Sequence, residues 1–285
     1  MKVIITGASG LLGEEIADVF SQKHEVIPLR GRRSIDISKT EKIISFIRNE
    51  GPDLIIHSAG WRNVDECEKN REKALLINTL GTKNIALAAK SVNCPMVHIS
   101  TDSVFDGKRD TPYTEFDRTN PVNVYGYSKL KAEEMVISML DKFFIIRVPI
   151  LFGSKGKRDN NLIYGVWEKL KKGEQIYAST DQVCSPTYTK DIADVLLKKV
   201  VKTEYYGIYH LSNEGLGSRF DLMKEIAELG GMSSENIIPC KSDKKYAKRP
   251  KFTAFNGIAF KSTFGIILDD WKKALKRCIE EMKIE

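Results

Sequence analysis

Tyr125 and Lys129 stand four residues apart in the stretch NVYGYSKLKAEE. On a helix that spacing puts both side chains on one face. A free phenol has a pKa of about 10. An ammonium beside it favours the phenolate and brings proton transfer within reach near neutrality. Y-x-x-x-K recurs by chance, so its weight comes from its position. Upstream lies STDSVFDG, residues 100–107, directly after the apolar run Met96 to Ile99. Thr101 is expected at the tip of that strand, where open parallel sheets bind ligands. Its hydroxyl would there hydrogen-bond the oxygen that Tyr125 protonates; the competing reading is a cap that ends the strand.

A second chemical signal opens the chain. ITGASGLLGEEIADVF spaces Gly7, Gly10 and Gly13 as G-x-x-G-x-x-G between an apolar run and an amphipathic one. Glycines there let the chain turn, let backbone approach a pyrophosphate and let helix pack on strand, while the helix N-terminus offers free N–H groups to phosphate. A tight turn could need glycine for backbone reasons alone, but the strand–turn–helix context points to dinucleotide binding. The second strand ends Leu29-Arg30-Gly31-Arg32-Arg33, without a carboxylate. An acidic residue at that point selects the ribose hydroxyls of NADH, and a basic one accommodates the 2′-phosphate of NADPH. Arg30 therefore favours NADPH, with NADH left open, and Asp36 and Ile37 fall close enough to meet the adenine.

These residues need elements to hold them. Short β-branched runs (Val3–Ile5, Glu25–Leu29, Leu54–Ile56, Met96–Ile99, Phe143–Val148) alternate with helical patterns over Leu11–Phe20, Thr40–Asn49, Ala74–Ala89 and Lys129–Leu140. Near-continuously apolar strands alternating with helices predict a parallel sheet buried on both faces. In the second half, helical patterns cover Leu162–Leu170, Asp191–Val201, Phe220–Leu229 and Asp269–Met282, and Tyr206–Leu211 reads as a strand. The lysine-rich stretch Lys241–Lys251 reads as a loop.

Composition narrows the class. A chain of 285 residues, 42% hydrophobic, can bury a large core in one or two units. The formal charge of +7 arises from interspersed lysines and glutamates, a solvated surface better suited to an anionic small molecule than to nucleic acid. The five cysteines form no C-x-x-C pair, as in a reducing cytosol. The four histidines have no metal-ligand spacing, so no metal is expected, and His57 and His98 read as packed residues. No apolar run approaches the roughly 20 residues of a membrane span. A soluble cytoplasmic protein is expected.

Gly7 to Gly13, STD with VFDG, NVYGYSKLKAE and RVPILFG together resemble the extended short-chain dehydrogenase/reductase family, and within it the dTDP-4-dehydrorhamnose reductase branch. CSPTYTKDIADVL, KRPKFTAFN and STFGIILDDWKKAL extend the resemblance over nearly the whole chain. It implies an α/β Rossmann-type, doubly wound parallel sheet over 1–150, with parts of 181–212 and the C-terminal helix returning to it. A smaller α/β substrate-binding domain would span 151–180 and 213–262. It further implies Thr101, Tyr125 and Lys129 as the catalytic set, with Tyr125 and Lys129 also touching the cofactor. Gly10, Leu11 and Leu12 would sit on the pyrophosphate, with Asp36 and Ile37 near the adenine. Gly60, Trp61 and Arg62 would lie along the cofactor, Thr101 and Asp102 on the sugar, and Arg249 on the nucleotide diphosphate.

Two departures concern the sugar end. The branch usually has tyrosine where this chain has Ser103, and Arg-Thr-Ser-Trp where it has Arg147-Val148-Pro149-Ile150. The expected activity is therefore NADPH-dependent reduction, at C4, of a nucleotide-linked 4-keto-6-deoxy sugar whose identity Ser103 and Ile150 help set. Two alternatives stand beside it. One is a non-catalytic dinucleotide-binding subunit resembling the methionine adenosyltransferase β subunit, which RVPILFG matches more closely. The other is epimerisation or dehydration of another sugar nucleotide. A homodimer is left open, and no nucleic-acid or membrane partner is expected.

Overall fold

The computed structural model describes residues 1–32, 34–242 and 246–284. Arg33 and positions 243–245, in the middle of the stretch read as a lysine-rich loop, lie outside the described residues. The first half runs β1 (Lys2–Thr6), α1 (Leu11–Ser21), β2 (Glu25–Leu29), α2 (Thr40–Glu50), β3 (Leu54–His57), α3 (Val64–Lys69), α4 (Arg71–Ala74), α5 (Gly81–Ser91), β4 (Met96–Thr101), α6 (Val124–Met139) and β5 (Phe143–Val148). The second half runs β6 (Leu151–Phe152), α7 (Leu162–Lys171), β7 (Ile176–Ser179), β8 (Val183–Cys184), β9 (Thr187–Tyr188), α8 (Thr189–Lys198), β10 (Gly207–His210), β11 (Gly217–Ser218), α9 (Arg219–Leu229), β12 (Ile237–Cys240), α10 (Ile258–Phe264) and α11 (Trp271–Ile284).

Six strands form one parallel sheet in the order β10-β5-β4-β3-β1-β2. The order reverses between β1 and β3, which opens a crevice at the strands' C-terminal ends. Alternate side chains feed two cores. Val3, Ile5, Ile56, Val97 and Ile146 meet α1 and α8 through Ile16, Phe20, Ile192 and Leu196. Ile4, Ile55, Met96 and Ile145 meet α2, α5 and α6 through Ile43, Ile47, Ile85 and Val136. Burial on both faces explains why these strands read as unbroken apolar runs.

The run Ala74–Ala89, which reads as one helix, is interrupted. A π-helical segment, Leu75–Leu80, separates α4 from α5. The widened turn lets Asn78 and Thr79, both buried, reach sideways to neighbouring elements. Apolar periodicity is blind to that one-residue slip in hydrogen bonding. The helix that reads as beginning at Lys129 starts at Val124, where the Asn123 side chain caps it by accepting from Gly126 N, so Tyr125 lies in its first turn.

A third core gathers Phe152, Ile163, Tyr188, Leu222 and Ile226 with Trp271, Leu275 and Cys278 of α11. The C-terminal helix, expected to return to the sheet domain, thus buries its apolar face here. Its polar edge holds α8 through Arg277–Asp191 (2.7 Å) and Lys190–Glu281 (2.7 Å).

Candidate active site

A single cleft of about 800 Å³ runs from the first βα turn, past the tip of β4, to the loop before α10. At one end Gly7 adopts φ +74°, and a Cβ there would come within 2.6 Å of Ala59 N. A Cβ at Gly13 would lie 2.2 Å from the Gly7 carbonyl oxygen. Both positions therefore need glycine for close approach, and Gly7 also for its left-handed backbone. Gly10 caps α1 without a side-chain hydrogen bond of its own, and with Leu11 and Leu12 it faces the cleft. This backbone cradle at a helix N-terminus fits the pyrophosphate of a dinucleotide.

At the end of β2 the structure corrects one expectation. Arg30 points into solvent, its backbone N–H donating to Ser34 Oγ, and it does not line the cleft; Arg32 does. Gly31, at φ +77°, turns the chain between them, a reversal that sequence spacing alone does not reveal. Asp36 and Ile37 line the cleft as expected. Hydrogen bonds from the Ser38 side chain and backbone hold the Asp36 carboxyl below its ordinary range. Gly60, Trp61 and Arg62 lie along the same wall. Trp61 is fixed by Asn78, which accepts from the Trp61 N–H (2.6 Å) and donates to its carbonyl (3.1 Å). Asn78 also donates to Ser128 Oγ (2.9 Å), so the π-helical turn ties this wall to α6.

Thr101, Tyr125 and Lys129 all face the cleft. The Thr101 side chain lies beside the Tyr125 phenol and favours its ionised form. Burial pushes the phenol up to about 12; the Thr101 side chain and the Arg62 charge oppose this, while Asp102 and Cys67 add to it. The expectation that Lys129 lowers the phenol is not met in this arrangement. The Lys129 ammonium instead donates to the Ile99 carbonyl (2.7 Å) and sits 3.3 Å from His98 Nε2. Burial pulls Lys129 down to about 8, with Glu133 opposing. Fully buried His98 stacks on His57 at 5.4 Å, the packed role read for both histidines, and burial keeps both neutral.

The turn after β4 explains STDSVFDG. Thr101 ends the strand and caps the next turn by accepting from Ser103 N (3.2 Å), as the capping reading has it, while its side chain also lines the cleft. Asp102 gathers hydroxyls from Thr253 (2.6 Å), Thr101 (3.0 Å) and Ser103 (3.3 Å). Burial pushes its carboxyl up while those hydrogen bonds and the Arg219 charge hold it back. Val104 and Phe105 are buried. Asp106 accepts from Tyr113 Oη (2.9 Å). Gly107 adopts φ +69° where a Cβ would strike Lys251 N at 2.5 Å, so the motif's glycine admits the Arg249-Pro250 loop. Arg249, Ser103 and Ile150 all line this end. Arg249 pairs with Asp65 (3.0 Å) and donates to the Ala247 carbonyl (2.8 Å).

Sequence reasoning missed Asn78, Thr253, Arg219 and Gln182. Asn78 left a trace, an amide inside an otherwise apolar helical run. Arg219 follows Ser218, whose capping box with Asp221 marks a helix start; where that start points is set by tertiary packing. Among the described residues no cluster of acids, histidines or cysteines could hold a metal.

Residues 1–284 match the RmlD substrate binding domain family. A dTDP-4-dehydrorhamnose reductase of Mycolicibacterium smegmatis is 34% identical over 98% of this chain and 85% of its own length. The crystal structure of a dTDP-4-dehydrorhamnose reductase of Clostridium acetobutylicum superposes with a TM-score of 0.93 at 36% identity, covering 99% of this chain and 100% of the other. That of a dTDP-4-dehydrorhamnose reductase from Bacillus anthracis in complex with NADP superposes at 0.92 and 34% identity, covering 98% and 99%. The chain belongs to the RmlD substrate binding domain family, within the dTDP-4-dehydrorhamnose reductase branch that its motifs resemble.

Proposed function

We propose that this chain is an NADPH-dependent reductase of a nucleotide-linked 4-keto-6-deoxy hexose. The observation that carries the reading is the continuity of one cleft from the glycine cradle to the Thr101–Tyr125 pair. The cofactor site fits on geometry: the close packing that Gly7 and Gly13 permit leaves Gly10, Leu11 and Leu12 facing the cleft at the N-terminus of α1, and Arg32 offers a cation where a 2′-phosphate would lie. The cradle would hold the pyrophosphate, and Asp36 and Ile37 the adenosine. Gly60, Trp61 and Arg62 would flank the rest, with Tyr125 and Lys129 at the nicotinamide end. NADPH, when bound, supplies the hydride that forms the new C–H bond at C4.

The chain's own residues handle the proton. Tyr125, with its pKa near 12, keeps its proton throughout the working range and donates it to the carbonyl oxygen as negative charge develops there. Thr101 orients that oxygen. Lys129 would hold the nicotinamide ribose, and solvent then reprotonates the phenolate. Asp102 fixes Thr101 and faces the sugar, Ser103 and Ile150 shape the hexose pocket, and Arg249 takes the diphosphate. The division into a dinucleotide-binding unit over 1–150 and a substrate unit over 151–180 and 213–262 is part of the same proposal, supported by the separate third core. A cytoplasmic location and a homodimer are inferred with it; cell fractionation and light scattering test them.

Purified protein with NADPH or NADH, given a panel of 4-keto sugar nucleotides that includes dTDP-4-dehydrorhamnose, tests the activity. Loss of reduced-nicotinamide absorbance that requires the keto sugar is expected. Constant absorbance while cofactor and sugar nucleotide both bind would overturn the reading.

A further inference from the structure

One charged side chain in the cleft has no use in the chemistry above. Arg219, the first residue of α9, lines the cleft near the Thr101–Asp102 tip. Its backbone is pinned twice, by the Ser218–Asp221 capping box and by pairing of β11 with β8, so the guanidinium is presented by a rigid frame. Among the described residues it makes no ion pair and no hydrogen bond. The acids nearby are occupied. Asp221 is spent on the cap, Asp65 on Arg249, and Asp102 on three hydroxyls. Burial and the nearby Arg249 charge both disfavour the Arg219 cation, and Asp102 and Cys184 only partly offset them. A half-buried guanidinium set beside another cation and without an anion of its own is disfavoured.

We propose that Arg219 is an oxyanion-binding residue at the sugar end of the cleft, gripping an anionic oxygen of the substrate between Asp102 and Arg249. The inference rests on the nucleotide-sugar reading and adds a determinant of specificity to it. Guanidinium binds phosphate and carboxylate by the same planar, two-pronged hydrogen bonding. The oxygen therefore belongs either to the diphosphate, on the phosphate next to the sugar, or to a carboxylate on the hexose.

Calorimetric titration of NADP⁺-loaded wild-type protein, Arg219→Gln and Arg219→Lys separates these sources. The probes are dTDP, UDP, dTMP, and dTDP-linked glucose and glucuronate. If the diphosphate is the source, Arg219→Gln weakens the nucleoside diphosphates about tenfold or more, the scale of a charged hydrogen bond, and dTMP by no more than about twofold. If a carboxylate is the source, the diphosphates hold while wild type's preference for glucuronate over glucose is lost. Arg219→Lys shows the same ordering with a smaller drop and carries the test where Arg219→Gln fails to fold. Diphosphate affinity and sugar preference both unchanged overturn the inference alone. Wild-type protein that binds neither diphosphate overturns the nucleotide-sugar reading beneath it.

Discussion

Lys129 commits its ammonium to the Ile99 carbonyl, beside His98. The spacing of the two residues was legible in the sequence; this orientation was not, because the lysine's partners come from β4. The consequence is a division of labour. Tyr125 keeps its proton, and its loss removes a positioned general acid, worth roughly 10²–10⁴-fold in rate. Tyr125→Phe is expected to lower kcat by that factor with NADPH affinity intact, measured by steady-state kinetics beside a cofactor titration; turnover near wild type would refute the assignment. Lys129 sets the alkaline limit. Its folded pKa, near 8, lies below its ordinary value, so the ammonium is present below that pH and lost above it. On a pH profile kcat/KM should fall as pH rises through about 8. Stability moves the other way, because above pH 8 the unfolded chain binds the proton that the folded chain has released. A limb near the ordinary lysine value would contradict this environment for Lys129.

At the scale of elements, the placement of α6 decides whether the catalytic residues meet. Gly126 lies against the turn after β4: a Cβ there would come within 2.1 Å of the Ser103 carbonyl oxygen. Gly126→Ala should displace α6 from Thr101. An overpacking cost of about 1–3 kcal/mol and a fall in kcat near 10²-fold, as for a misplacement of about 1 Å, are expected by thermal melt and kinetics; an unchanged melt and rate would refute the contact. The far side of α6 is anchored by the buried Glu133–Arg147 pair (2.7 Å), with Ser100 also donating to Glu133. Arg147→Met strands that carboxylate and should cost about 3–5 kcal/mol in chemical denaturation, with Glu133→Leu added to it recovering part of the loss. Alternating apolar runs made the sheet and its flanking helices readable. The π-helical turn at Leu75–Leu80 and the solvent-facing Arg30 were not, because a shifted backbone bond and a glycine-driven reversal leave the apolar pattern unchanged.

At the scale of the molecule, the cleft joins segments far apart in sequence. The Arg249-Pro250 loop reaches β4 through Thr253 and Asp102, and β8 through Val183. The family motifs made these segments recognisable, but their convergence on Arg219 depends on how the third core seats α9, which no local pattern encodes. Binding of NADPH to the folded chain alone should raise its stability, by about 2.7 kcal/mol at a hundredfold excess over Kd. With Arg32 at the adenosine end the melting shift should exceed that of NADH at equal concentration, and the reverse order would contradict that assignment. The central claim is tested most directly by supplying NADPH carrying deuterium on the transferable face of its nicotinamide C4, together with dTDP-4-dehydrorhamnose. A product with deuterium bound to the former carbonyl carbon C4 is the expected result. Bound cofactor and sugar nucleotide with no deuterium delivered to that carbon would contradict it.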